Sequence, residues 1–270
     1  MKANKRTFIF SKKDGQLKGV SVDNRKINFA NGPRFIGARR ADRSLDQFYN
    51  HDDEKAKEKD RTYSEFPDAA VFTKLDVKED GGNLVVTANY KLGNLDKAQW
   101  TINPSGDLAL DYTYNFSGVV DLMGIRFDYP EDQVISKRWL GAGPYRVWQN
   151  RIHGTQYDVW ENDYNDPIPG ETFTYPEFKG YFGDVSWMNI QTKEGTISLT
   201  NETPDTYIGV YQPRDGRDRL LYTLPESGIS VLNVIPPVRN KVNSTDLCGP
   251  SSQPKWVNGP QTGRVIFRFM

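Results

Sequence analysis

From Leu108 to Phe116 one set of alternate positions is apolar or aromatic: Leu108, Leu110, Tyr112, Tyr114 and Phe116. Asp111, Thr113 and Asn115 fall between them. A repeat of two is that of an extended strand, whose side chains point to opposite faces in turn, and it does not fit the 3.6-residue repeat of a helix. One face of this segment is predicted to be core and the other wet. The same alternation sets Val71, Thr73, Leu75 and Val77 against Phe72, Lys74, Asp76 and Lys78, and Leu84, Val86, Ala88 and Tyr90 against Val85, Thr87 and Asn89. Glu79-Asp-Gly-Gly-Asn83 between those runs has the composition of a hairpin turn. Further strands are predicted at 17–22, 26–29, 124–128, 134–140, 187–191, 196–200, 207–211, 229–235 and 265–269. A dozen or more strands in one open sheet would curl or split, so two sheets packed face to face are expected. The fold class read from this pattern is all-β, a large antiparallel sandwich. Only 52–61 is strongly helix-permissive; it has no apolar face and reads as a solvated loop or a short surface helix.

At 270 residues the chain fits one domain, 1–270. With 37% hydrophobic residues and a mean hydropathy of -0.69, no apolar stretch approaches the ~18–20 residues that cross a bilayer, so no membrane span is expected. Thirty-five basic residues balance thirty-five acidic ones, which removes the electrostatic footprint of a nucleic-acid binder. Two histidines and one cysteine cannot build a multi-His metal site, a Cys-rich zinc site or an intrachain disulfide, and no metal or cofactor is expected. Phosphate-binding and serine-nucleophile motifs are absent: Gly141-Ala-Gly143 runs into Pro144, and no Gly-x-Ser-x-Gly occurs. His51, in an acidic run, and His153 are the two available imidazoles. Phe8, Ile9 and Phe10 are too short an apolar run for a signal peptide. The chain is expected to be either cytosolic or a piece of a longer protein. Its strand-like segments close to both ends favour the second.

The stretch 141–181 gathers Tyr145, Trp148, Tyr157, Trp160, Tyr164, Phe173, Tyr175, Phe178 and Tyr181 among prolines and glycines without clear alternation. A second irregular segment, 236–262, precedes the terminal strand. Long irregular loops with aromatic and charged side chains are common places for binding sites. Sugar rings stack their C–H faces on aromatic planes and exchange hydrogen bonds with Arg, Asn, Asp and Glu, so this mixture suits carbohydrate. The candidate sugar contacts are Arg146, Trp148 and Arg151, with Tyr145 and Glu177 beside them. Arg presents a two-donor fork and Trp148 a ring face. The structural alternative makes these aromatics packing under the loop, with Arg151 tied to backbone carbonyls or to Asp158. A glycosidase needs two placed carboxylates, and sequence alone cannot select two among thirty-five.

One family resembles this chain. Trp139-Leu-Gly-Ala-Gly-Pro-Tyr-Arg-Val-Trp-Gln-Asn-Arg151, followed by Tyr157-Asp-Val-Trp160, resembles a motif in the C-terminal domain, or small chain, of family 2 β-galactosidases. Phe10-Ser-Lys-Lys-Asp-Gly-Gln-Leu17, Gly32-Pro-Arg-Phe35, Met123-Gly-Ile-Arg-Phe127 and Gly183-Asp-Val-Ser-Trp187 fall in the matching order. The resemblance implies a galactose mutarotase-like super-sandwich that follows a catalytic barrel, walls one side of its sugar pocket and carries no catalytic glutamates. It therefore implies two partners, a carbohydrate and the barrel of the same parent chain, and a periplasmic, extracellular or cytoplasmic setting. The chain departs from the family at 38–43, where only Arg40, Ala41 and Asp42 survive of a usual Arg-Ala-Pro-x-Asp-Asn-Asp run, and at 190–195, which lacks a substrate-stacking tryptophan. The sugar is left open between galactose and another plant or algal side chain. Two other readings stand beside this one: an independent carbohydrate-binding module, and a mutarotase-like epimerase.

Overall fold

A computed structural model describes residues 1–40, 63–164, 180–210, 224–238 and 250–270. In chain order its strands are β1 (Lys2–Ala3), β2 (Arg6–Phe10), β3 (Leu17–Val22), β4 (Arg25–Ile27), β5 (Ala30–Arg40), β6 (Tyr63–Glu65) and β7 (Val71–Asp80). There follow β8 (Asn83–Lys91), β9 (Leu95–Ile102), β10 (Leu108–Val120), β11 (Leu122–Asp128), β12 (Val134–Gly143) and β13 (Gln156–Asp163). The last are β14 (Phe182–Gly183), β15 (Trp187–Thr192), β16 (Gly195–Asn201), β17 (Tyr207–Val210), β18 (Ile229–Val234) and β19 (Lys255–Phe269). One ten-stranded sheet runs β1-β2-β3-β5-β11-β18-β17-β14, with β4 and β6 at its margins. The other has nine strands in the order β13-β12-β15-β16-β19-β10-β9-β8-β7. All the paired strands are antiparallel. The helical content among the described residues is two 3₁₀ turns, Glu131–Gln133 and Pro250–Ser252. The predicted all-β sandwich is therefore the observed architecture. The helix-permissive stretch 52–61 lies outside the described residues.

The β10 pattern is realised: Leu108, Leu110, Tyr112 and Tyr114 are at most 2% exposed. Between the sheets Phe29 stacks on Phe127 at 4.9 Å, and Phe267 closes on both at 5.0 and 5.3 Å. Such ring pairs add about 0.5–1.5 kcal/mol each beyond the area they bury. The predicted turn joins β7 to β8 through Gly81 and Gly82, whose φ values of 57° and 82° are the left-handed pair that a type I′ hairpin demands.

Three expectations change. In β7 the inward face changes parity, because the register against β8 shifts between Phe72 and Lys74: Phe72 faces in where Val71 and Thr73 were expected, and beyond the shift Leu75 faces in as expected. One extra residue there puts Phe72 and Leu75 on the same, partly buried side and leaves Val71 exposed; Val77, paired with buried Val86, is exposed towards the end of this edge strand. The irregular segment 236–262 also yields to a strand, since β19 begins at Lys255. Residues 255–264 pair with β10 on one side only, and β16 joins from Val265 onward. Pro260 sits in the one-sided stretch, where a missing N–H breaks no ladder on the open edge. Similarly β13 lies inside the aromatic segment predicted to be irregular, as an edge strand with most of its residues exposed.

The ten-stranded sheet buries part of its outer face as well. Phe35, Met123, Ile125 and Val231 point into the main core, while their alternate neighbours Ile36, Ala38, Leu122 and Leu232 form a second cluster. That cluster is closed by Val147, Trp148, Tyr181, Ile235 and Val238, which brings the motif-bearing loop onto the sheet.

Candidate functional site

The loop leaves β12 through the Trp-Leu-Gly-Ala-Gly-Pro motif. Trp139 is fully buried, donates Nε1–H to the Ala142 carbonyl at 3.1 Å, and meets Phe182 edge-on at 4.9 Å. At Gly143 a Cβ would sit 2.4 Å from the Trp160 ring, so only glycine lets that indole lie against the strand. The motif's tryptophan and glycines thus serve the packing that launches the loop.

Beyond Pro144 the backbone is clamped from three directions. Val147 exchanges both backbone hydrogen bonds with Tyr181, at 2.8 and 2.7 Å. Trp148 and Arg151 close a turn, the Arg151 N–H donating to the Trp148 carbonyl at 2.9 Å. Gln149 sits at the tip, its N–H on the Pro236 carbonyl and its side-chain amide donating to Ser251 and Gln253 carbonyls at 2.8 and 2.6 Å. Asn150 both donates to the Val238 carbonyl and accepts from the Val238 N–H, each at 2.8 Å. Side-chain amides here satisfy backbone groups of a segment more than eighty residues away, which a strand-free loop otherwise leaves to water.

The predicted site residues separate on this frame. Trp148 is 2% exposed, its ring perpendicular to Tyr181 at 5.7 Å within the outer cluster. Burial raises the pKa of the Tyr181 hydroxyl, with Tyr63 adding to the effect, so it stays neutral. Arg146 is also buried, its guanidinium 5.8 Å from the Phe182 ring. Tyr145 and Arg151 are half-buried: the Tyr145 hydroxyl donates to the His153 carbonyl at 3.1 Å, and the Arg151 guanidinium stands 6.0 Å over the Tyr145 ring. Asp158, the alternative partner for Arg151, accepts from the Val159 N–H at 2.7 Å. Glu177, with Phe173, Tyr175 and Phe178, lies outside the described residues, as does His51.

Trp256 was not singled out from sequence. It is 72% exposed at the start of β19, three residues past the Gln253 carbonyl that Gln149 holds. Its signal was weak, because it lies in the segment read as irregular; the alternation Lys255, Val257, Gly259 against Trp256 and Asn258 is visible once the strand is known. Tyr157 is a second exposed ring, on β13, with its hydroxyl 2.6 Å from that of Ser186. Among the described residues no three His, Cys, Asp or Glu side chains are grouped to hold a metal ion, and no helix is long and apolar enough to cross a membrane.

Residues 2–237 match the family described as the β-galactosidase small chain. No curated protein matches the chain. Among solved structures, the galactose 1-epimerase of Lactobacillus acidophilus superposes with a TM-score of 0.49 at 8% identity, over 100% of this chain and 92% of that one. An aldose epimerase homologue from C. elegans does so with a TM-score of 0.40 at 8% identity, over 98% and 99%.

Proposed function

Because the chain belongs to the β-galactosidase small-chain family, we propose that it is a non-catalytic domain that contacts carbohydrate and completes the sugar pocket of a catalytic barrel in the same parent protein. The observation that carries this reading is the clamped turn 148–151. Three separate segments hold it, through the Val147 backbone, the Gln149 N–H and the Gln149 and Asn150 side chains, and it carries Tyr145 and Arg151 as a half-buried ring with a guanidinium over it. A preorganised rim of this kind costs little ordering on binding. Arg151 supplies donors to sugar hydroxyls, Tyr145 a hydroxyl and a ring edge, and Trp256 the open ring face. Arg146 and Trp148 support the rim from beneath. Glu177 belongs to the same candidate set.

The test is kinetic. The 270-residue chain alone is expected to show no turnover of aryl β-galactosides. In the enzyme that carries the domain, Arg151→Gln is expected to raise KM several-fold with kcat little changed. Turnover by the isolated chain that disappears on changing one of its Asp or Glu residues would overturn the proposal. So would an Arg151→Gln enzyme with unaltered KM and kcat.

A further inference from the structure

The outer face of the ten-stranded sheet does not end at the Trp148 cluster. One cross-strand row further along, Arg34 of β5 pairs with Arg126 of β11, which pairs with Ser230 of β18. Arg34 and Arg126 of this row line an open cleft of about 910 Å³, within the range of small-molecule sites. Its charged groups are fixed before any ligand arrives. Asp128 accepts from the Arg34 guanidinium and from Asn31 Nδ2, the latter at 2.8 Å, and Arg34 Nε donates to the Asn31 carbonyl at 2.9 Å. Lys18 Nζ bridges to Asn31 Oδ1 at 3.1 Å, while Arg126 lies between the Glu226 carbonyl and the Glu65 carboxylate.

From this geometry we infer that the cleft is a binding site for a neutral mono- or disaccharide, distinct from the Tyr145–Arg151 rim. Four lysine or arginine side chains and four carboxylates line it, so an anionic ligand meets carboxylates and a cationic one meets guanidinium groups wherever it sits. A neutral polyol takes both, since each sugar hydroxyl donates and accepts. Arg, Asp and Asn side chains already bonded to each other present polarised, preoriented donors and acceptors. Tyr129, buried behind the wall, donates its hydroxyl to Glu194. The inference stands if the rim reading fails, because the two sites share no residue.

The experiment is titration calorimetry with saturation-transfer NMR on the 270-residue chain, using lactose, cellobiose and xylobiose as neutral probes and galacturonate as the anionic one. At least one neutral disaccharide is expected to bind with a millimolar Kd, more tightly than galacturonate. Arg34→Gln and Asp128→Asn are each expected to weaken it tenfold or more, and Arg151→Gln less than twofold. If either cleft variant fails to fold, Lys26→Ala, at an exposed lining position, is expected to weaken binding at least threefold with an unchanged circular dichroism spectrum. Absence of binding to all three disaccharides overturns the inference, as does tighter binding of galacturonate. Sugar binding lost in Arg151→Gln and kept in the cleft variants overturns it too, while leaving the rim reading in place.

Discussion

The outer face of one sheet carries two adjoining regions built on the same strands. On β5, Ile36 and Ala38 lie under the Trp148 loop while Arg34 lies in the open cleft; on β11, Leu122 and Arg126 divide in the same way. Where the face is apolar the chain has folded a loop over it and sealed it, and Trp148, Val147 and Tyr181 are buried as a result. Where it is charged, the side chains satisfy one another laterally and stay open to solvent. An aromatic-rich loop is therefore no direct sign of an aromatic binding surface. The rings that face a sheet are consumed by it, and the rings left for a ligand are those the fold cannot cover, such as Trp256.

This contrast can be broken most forcefully at Trp148. Trp148→Ala is expected to cost about 3–5 kcal/mol of stability, as a large side chain lost from a closed cluster. Urea unfolding of the chain measures it, and a loss below about 1 kcal/mol would show that the loop does not depend on the cluster. Asn150→Ala removes both reciprocal bonds to Val238 and leaves that buried backbone short of partners, for an expected loss of about 1–3 kcal/mol. Asn150→Asp, which keeps the acceptor alone, should fall between.

A smaller effect is expected away from both regions, where the Arg268 guanidinium holds the Asp107 carboxyl down at about 2. A carboxyl lowered on folding stabilises the fold above its unfolded pKa of ~3.9 and loses that contribution as pH falls towards 2. Arg268→Gln should thus cost about 1–2 kcal/mol at pH 7, with the two proteins converging near pH 2 in acid-unfolding curves. Arg268 is itself half exposed, which keeps the effect at the lower end. Smallest of all, Arg34→Gln should change stability by about 1 kcal/mol or less, because its ion pair with Asp128 is partly open to solvent. A large loss there would mean that the cleft is a structural seam and would set it beside the Trp148 region.

How far the sequence foretold this depends on which interaction did the deciding. β10 was legible because its alternation is set by burial on one face, and no tertiary event overrides it. β7 had the right side at Leu75 and the wrong one at Val71, since a single-residue register shift inverts the faces across it and leaves no mark in composition. β13 and the first half of β19 were hidden because edge strands bury little, and Pro260 reads as a breaker until its unpaired side is known. At the site, the loop could be located but its rings could not be sorted. Whether Trp148 faces the sheet or the solvent depends on Ile36 and Leu122, far off in sequence, and on the clamps from Val238 and Ser251. The Arg34–Arg126 row needs the register of three strands before its members become neighbours.

The place of β19 in its sheet governs the order in which the molecule is completed. It is the last of the described strands to leave the ribosome, yet it lies in the middle, with β16 on one flank and β10 on the other. Until it arrives, β13-β12-β15-β16 and β7-β8-β9-β10 are two separate half-sheets, each showing an unpaired edge. Nascent chains must carry those edges exposed from the emergence of β10 and β16 until that of β19, a period in which strand edges template aggregation. A premature stop anywhere before Lys255 would leave both halves without the seam that joins them, so β19 acts in this sheet as its keystone.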